Sequence, residues 1–275
     1  MTDHDDLLAD RQKCPNPGGP DVRVSTSGTE DRILTVQIDN PPVNCLSVSV
    51  REGIIAAMDL VAKPDATIRV VVLRGSNHSF SAGGDVHELA RESDPTTDRW
   101  LHQSFADLFT SVRDCPVPVI AAIEGYAMGG GLELALCCDI RYVTAETRLA
   151  ASGVNMGLVE SAHTLGALVP QAYASELLFT GQSINGSEAA RRGLATRCVA
   201  ASEMDATVAD TATQIAGRAP ASIRATKAVL RTGITDPGHA GAEARTAWLR
   251  LRRSHDHQEA LAAFAAKRLP KFRGV

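Results

Sequence analysis

The chain has 275 residues, of which 44% are hydrophobic and 22% charged, and its formal net charge at pH 7 is -4. These proportions belong to an ordinary globular protein long enough to bury a large core, and they exclude disordered and collagen-like chains. The acidic balance lacks the basic clusters that neutralise nucleic-acid phosphates, and no apolar run approaches the length of a membrane span.

Residues 1–21 combine Asp, Pro and Gly (CPNPGGPD) without hydrophobic periodicity, so a disordered tail is expected. The opening MTDHDDLLADRQK is polar and acidic where a signal peptide is basic and then apolar, which predicts a cytoplasmic protein. Residues 32–39 (RILTVQID) alternate as a strand, Pro41 and Pro42 stop it, and residues 48–62 carry helical periodicity. The apolar strand RVVVLRG (69–75) leads into the small-residue loop SFSAGGD, and a helix is expected around Trp100–Val112.

A second buried strand, PVIAAIEG, is followed by AMGGG, the helix LELALCC, and strands near DIRYVTA and RLAAS. Strands alternating with helices predict an α/β domain with largely parallel pairing. NGSEAARRGLATRCV reads as a short helix with Ser187 near its start, a left-handed stop at Gly193 and a further strand. Alanine-rich stretches then predict a helical region. The expected organisation is a tail over 1–21, a core over 22–203 that holds the site, and helices over 204–275 for oligomer contacts and pocket closure.

The six cysteines (Cys14, Cys45, Cys115, Cys137, Cys138 and Cys198) have no CxxC spacing and read as reduced packing residues. No basic neighbour in the sequence lowers the thiol pKa of the adjacent pair Cys137 and Cys138.

Two glycine-rich turns, each directly after an apolar strand, carry the chemical signal: Ser81-Ala82-Gly83-Gly84-Asp85 and Ala127-Met128-Gly129-Gly130-Gly131. Taken singly, each reads as a tight turn. Taken together, their amides can converge on one oxygen as an oxyanion hole, since the first amides of a helix are unpaired donors at its positive end. Neither turn has the GxGxxG or GxxxxGK[ST] pattern of a phosphate cradle. Glu133 lies in the first helical turn after Gly131 among apolar residues. It is placed for proton transfer, or simply favoured there by the helix dipole.

Ordered motifs extend this reading: PPVNCLS, VVVLRGSNHSFSAGGDVHEL, PVPVIAAIEGYAMGGGLELALCCDIRY, LLFTGQSINGSEAARRGLATRCV, APASIRATK and AFAAKRLPKFRG. Through them the chain resembles the crotonase, or enoyl-CoA hydratase/isomerase, superfamily. The resemblance implies a spiral of strand-strand-helix repeats with a helical C-terminal region, assembled as a trimer or a dimer of trimers. It implies an acyl-CoA substrate that itself carries coenzyme A, with no tightly bound cofactor and no metal.

By the same resemblance, the amides of Gly84 and Gly130 hold the thioester oxygen, and Ala82, Asp85, Val86 and His87 line the CoA entrance. Lys267 and Lys271 are candidates for CoA phosphates, or ordinary solvated lysines. Family hydratases use two glutamates. Glu133 matches the first, whereas Gly153, in ASGVNMG, occupies the place of the second.

Glu160 and His163 are the candidates to replace it. Glu160 falls where methylmalonyl-CoA decarboxylase relatives carry a tyrosine, but Gly84 stands where those relatives have a histidine. The resemblance therefore leaves a hydratase using Glu133 with Glu160, an isomerase using Glu133 alone, a decarboxylase and an inert CoA-thioester-binding protein. Serine acyl transfer lacks the GxSxG elbow, and the polar stretch His255-Asp256-His257 is not read as a metal site.

Overall fold

The structure, a computed structural model, describes residues 21–63, 66–91 and 93–275. Cys14 and all of the expected tail except Asp21 lie outside the described residues. In chain order the strands are β1 (Val22–Ser27), β2 (Ile33–Ile38), β3 (Val70–Gly75), β4 (Val119–Ile123), β5 (Tyr126–Met128), β6 (Ile140–Thr144), β7 (Arg148–Ala150), β8 (Ile184–Asn185) and β9 (Arg197–Val199). They form a six-stranded sheet, β1-β2-β3-β4-β6-β9, and a three-stranded sheet, β5-β7-β8. In the larger sheet only the β1–β2 pair is antiparallel.

The near-continuous apolar runs of β3 and β4 follow from burial of both sheet faces. Val71, Leu73, Ala121 and Ile123 face the main core, while Val70, Val72, Ile120 and Ala122 face a second cluster. Helix α1 (Val48–Ala62) packs into the main core through Val50, Ile54, Ala57, Met58 and Val61, a spacing of three and four residues that places them on one side. Each fully buried aliphatic side chain of this kind contributes roughly 1.5–3 kcal/mol.

Short helix α2 (Val86–Leu89) follows the first glycine loop, and α3 (Pro95–Arg113) begins earlier than its periodicity predicts. The reason is a cap: the Asp94 side chain accepts from the Thr96 and Thr97 amides, and Pro95 takes the first helical position. All eight residues of α4 (Gly130–Cys137) are buried. A charge on this helix therefore needs a partner inside the protein. Cys115, Cys137 and Cys138 are buried free thiols, and burial pushes Cys137 up to about 12 and Cys138 higher, as befits packing residues.

Beyond the smaller sheet come α5 (Ala162–Leu168), α6 (Gln171–Thr180) and α7 (Gly186–Arg191), the last capped by Asn185 and followed by Gly193 at φ +81°. Of the helices that follow, α8 (Met204–Ala216) lies on the second face of the large sheet through Met204, Val208 and Ala212. The C-terminal helices α9 (Pro220–Thr235), α10 (Pro237–Leu251) and α11 (His255–Ala265) follow it. Buried Asp256 accepts from the amides of Arg273 and Gly274, so its carboxylate fastens the chain end.

Candidate functional site

The two glycine turns are brought together by the backbone. The Ser81 amide donates to the Tyr126 carbonyl at 2.8 Å and the Met128 amide to the Ser81 carbonyl at 3.0 Å, while the Leu46 amide donates to the Gly83 carbonyl at 2.7 Å. Gly83 has φ +92°, and a Cβ there would lie 2.5 Å from the Met128 carbonyl oxygen and 3.2 Å from the Gly130 amide nitrogen. Glycine alone permits this approach. A Cβ on Gly84 would stand 3.5 Å, and one on Gly130 3.6 Å, from the ring of Phe105, so both glycines border one wall. Among the described residues, neither the Gly84 nor the Gly130 amide donates to a protein acceptor.

Arg51 holds this loop from behind. It is fully buried, and its Nη1 donates to the Leu46 carbonyl at 2.6 Å and to Glu88 at 2.9 Å, its Nε to Ser104 Oγ at 2.8 Å. The guanidinium carbon lies 4.3 Å from the centroid of the Phe105 ring. Glu88 also accepts from the Val48 amide at 2.8 Å, so one ion pair ties the start of α1 to the helix that follows Gly84. A charged residue on the buried stripe of α1 was a signal available in the sequence. Arg51→Lys keeps the charge but cannot reach all these acceptors from one ammonium. It is expected to cost about 2 kcal/mol in urea unfolding.

Glu133 is 8% exposed, one turn into α4. Its Oε1 accepts from Thr164 Oγ1 at 2.5 Å, and its Oε2 has no partner among the described residues. Glu160 comes from the loop before α5 and reaches the second glycine turn. A Cβ on Gly129 would lie 2.9 Å from Glu160 Oε2, and one on Gly130 3.6 Å from Glu160 Oε1. A Cβ on Gly153 would lie 2.6 Å from the Glu160 Cβ. The side chain missing at Gly153 is thus the space that Glu160 fills. Burial, and secondarily the charge of Glu133, hold the Glu160 carboxyl above the ordinary carboxylate range.

His163 is exposed on α5, away from this burial, so of the two replacement candidates the geometry brings Glu160 to the glycines. At the loop mouth, Ala82 is half-buried with its amide donated to Val43, and the Asp85 side chain accepts from the His87 amide at 2.8 Å as the cap of α2. Val86 and His87 are exposed. Lys267 and Lys271 are exposed as well, the amide of Lys271 donating to Glu259 at 2.8 Å. Thr164 and Arg51 were not singled out by the sequence. Thr164 carries no motif, and only the fold puts it against Glu133.

The model of a family described as enoyl-CoA hydratase/isomerase matches residues 28–275. The chain is 32% identical over 254 residues to the probable enoyl-CoA hydratase 2, mitochondrial, of Arabidopsis thaliana, a match covering 90% of this chain and 84% of that protein. It is 34% identical over 220 residues to the (E)-benzylidenesuccinyl-CoA hydratase of Thauera aromatica, covering 78% and 84%. Among solved structures, an enoyl-CoA hydratase from Bacillus anthracis matches with a TM-score of 0.88 at 27% identity, covering 93% of this chain and 100% of that one.

Proposed function

The chain belongs to the enoyl-CoA hydratase/isomerase family, and on that premise we propose that it adds water reversibly across the α,β double bond of an enoyl-CoA thioester. The observation that carries this reading is the Glu160 side chain lying in the space over Gly153, which supplies a second carboxyl beside Glu133 and the second glycine turn. The similarity to proteins described as hydratases agrees with it.

In this reading the thioester oxygen sits between the amides of Gly84 and Gly130. Glu133, accepting from Thr164, is the base and takes a proton from the water that attacks the β carbon. Glu160, whose carboxyl is held above its ordinary range, delivers its proton to the α carbon. Charge that develops on the thioester oxygen is met by the two amides, each of which supplies about 2.7–4 kcal/mol in sites of this type. One water is consumed, and the carboxyls return to their starting state when Glu133 loses its proton and Glu160 regains one, directly or by exchange through solvent. The exposed Trp248 and Phe264 support self-association of the chain as a trimer or a dimer of trimers.

Incubating the protein with enoyl-CoA thioesters of several chain lengths in water labelled with heavy oxygen, followed by mass spectrometry, tests the reaction. A 3-hydroxyacyl-CoA carrying the label is expected. A shifted double bond without label would replace this reading by a single-carboxylate isomerase, and loss of carbon dioxide from malonyl-type thioesters by a decarboxylase. Binding without conversion would leave an inert thioester-binding protein.

A further inference from the structure

Glu133 sits on a helix buried on every side, with Leu132, Leu134 and Leu136 around it, and its carboxylate has two chemically equal oxygens. Nothing in the helix distinguishes them, because the terminal torsion of a glutamate is broad. Thr164 does distinguish them: its hydroxyl donates to Oε1 at 2.5 Å while Oε2 is left unpartnered among the described residues. The donor is itself well fixed, since a β-branched side chain in a helix has few χ1 choices. Ser161 immediately precedes its helix α5, and its φ of +57° turns the chain directly after Glu160. One short segment therefore delivers both the second carboxyl and the group that orients the first.

We propose that Thr164 is a positioning residue for Glu133, fixing the plane of the carboxylate that takes the proton. This rests on the hydratase reading above. Loss of the hydroxyl releases the plane of the carboxylate, so the base loses its alignment while the rest of the site is unchanged. Substrate binding, which in this reading rests on the amides of Gly84 and Gly130 and on the CoA entrance, is untouched.

The test compares Thr164→Val, which removes the hydroxyl at nearly constant volume, with Thr164→Ser, which keeps it. The readouts are kcat and KM for hydration of an enoyl-CoA thioester, and Kd for the saturated acyl-CoA of equal length. Thr164→Val is expected to lower kcat by about ten- to a hundredfold with KM and Kd unchanged, the loss of one hydrogen bond to a charged group. Thr164→Ser should recover most of it. Should Thr164→Val fail to fold, Thr164→Ala against Thr164→Ser makes the same comparison.

An undiminished kcat, a loss confined to KM and Kd, or a serine variant no better than the valine one would overturn the proposal. A double variant separates this failure from that of the underlying reading. With Glu133→Gln already in place, Thr164→Val should have no further effect on kcat, and an additive loss refutes coupling through Glu133. If Glu133→Gln alone is fully active, it is the hydratase reading that falls.

Discussion

Glu133→Gln is expected to lower kcat by about two to four orders of magnitude, the usual span for removing a positioned acid or base, while the saturated acyl-CoA binds as before. The amide keeps the volume and can still accept from Thr164, so the core around α4 is preserved. What disappears is the lone acceptor for a proton. Steady-state hydration kinetics and calorimetric titration separate the two effects, and wild-type turnover in the variant would remove Glu133 from the chemistry.

Glu160→Gln should show a comparable loss of kcat together with a gain in stability. The Glu160 carboxyl is held above its ordinary range in the folded chain, so ionising it costs more there than in the unfolded chain. That penalty is absent at low pH and is imposed as pH rises from the ordinary carboxylate range through the raised value. Replacing it with an uncharged amide should therefore raise the melting temperature at neutral pH, with the gain vanishing in acid. A residue kept at a cost to stability, whose removal abolishes turnover, has the signature of function.

Much of this was legible before the fold was known, for identifiable reasons. Helix α1 and strands β3 and β4 are long, periodic or continuously apolar, and their buried residues are the ones that their patterns mark. Strand β1 was not anticipated because its sequence, VRVSTS, buries little beyond Val22 and depends on pairing with β2 for its identity. β5 and β8 span three and two residues, too few for any period to register. At the candidate site, the glycine turns and Glu133 stood out in the sequence because they are particular residue types at fixed offsets from a strand. Glu160 could be offered only as one of two substitutes. The choice against His163 depends on a loop with left-handed turns at Gly157 and Ser161, which no side-chain pattern encodes.

That loop also makes position 153 sensitive to substitution. Gly153 has no positive φ, so alanine there meets no backbone strain, and the whole effect is steric: its Cβ would fall 2.6 Å from the Glu160 Cβ and 3.1 Å from the Leu158 carbonyl oxygen. Neither atom is the free end of a flexible chain, so the segment carrying Glu160 must move. Gly153→Ala should cost about 1–3 kcal/mol in unfolding experiments, the range for overpacking, and lower kcat by roughly two orders of magnitude or more as the acid leaves its place.

The double variant Gly153→Glu, Glu160→Gly discriminates between a damaged loop and a displaced carboxyl. It moves the acid to the position where the resemblance places it and deletes the Cβ with which position 153 would collide. The two changes touch the same space, so their effects should be strongly non-additive. The double variant should exceed both single variants in kcat and regain stability over Gly153→Ala. If it is no more active than either, Glu160 is not the stand-in for the missing glutamate, and the empty space at Gly153 reflects packing alone.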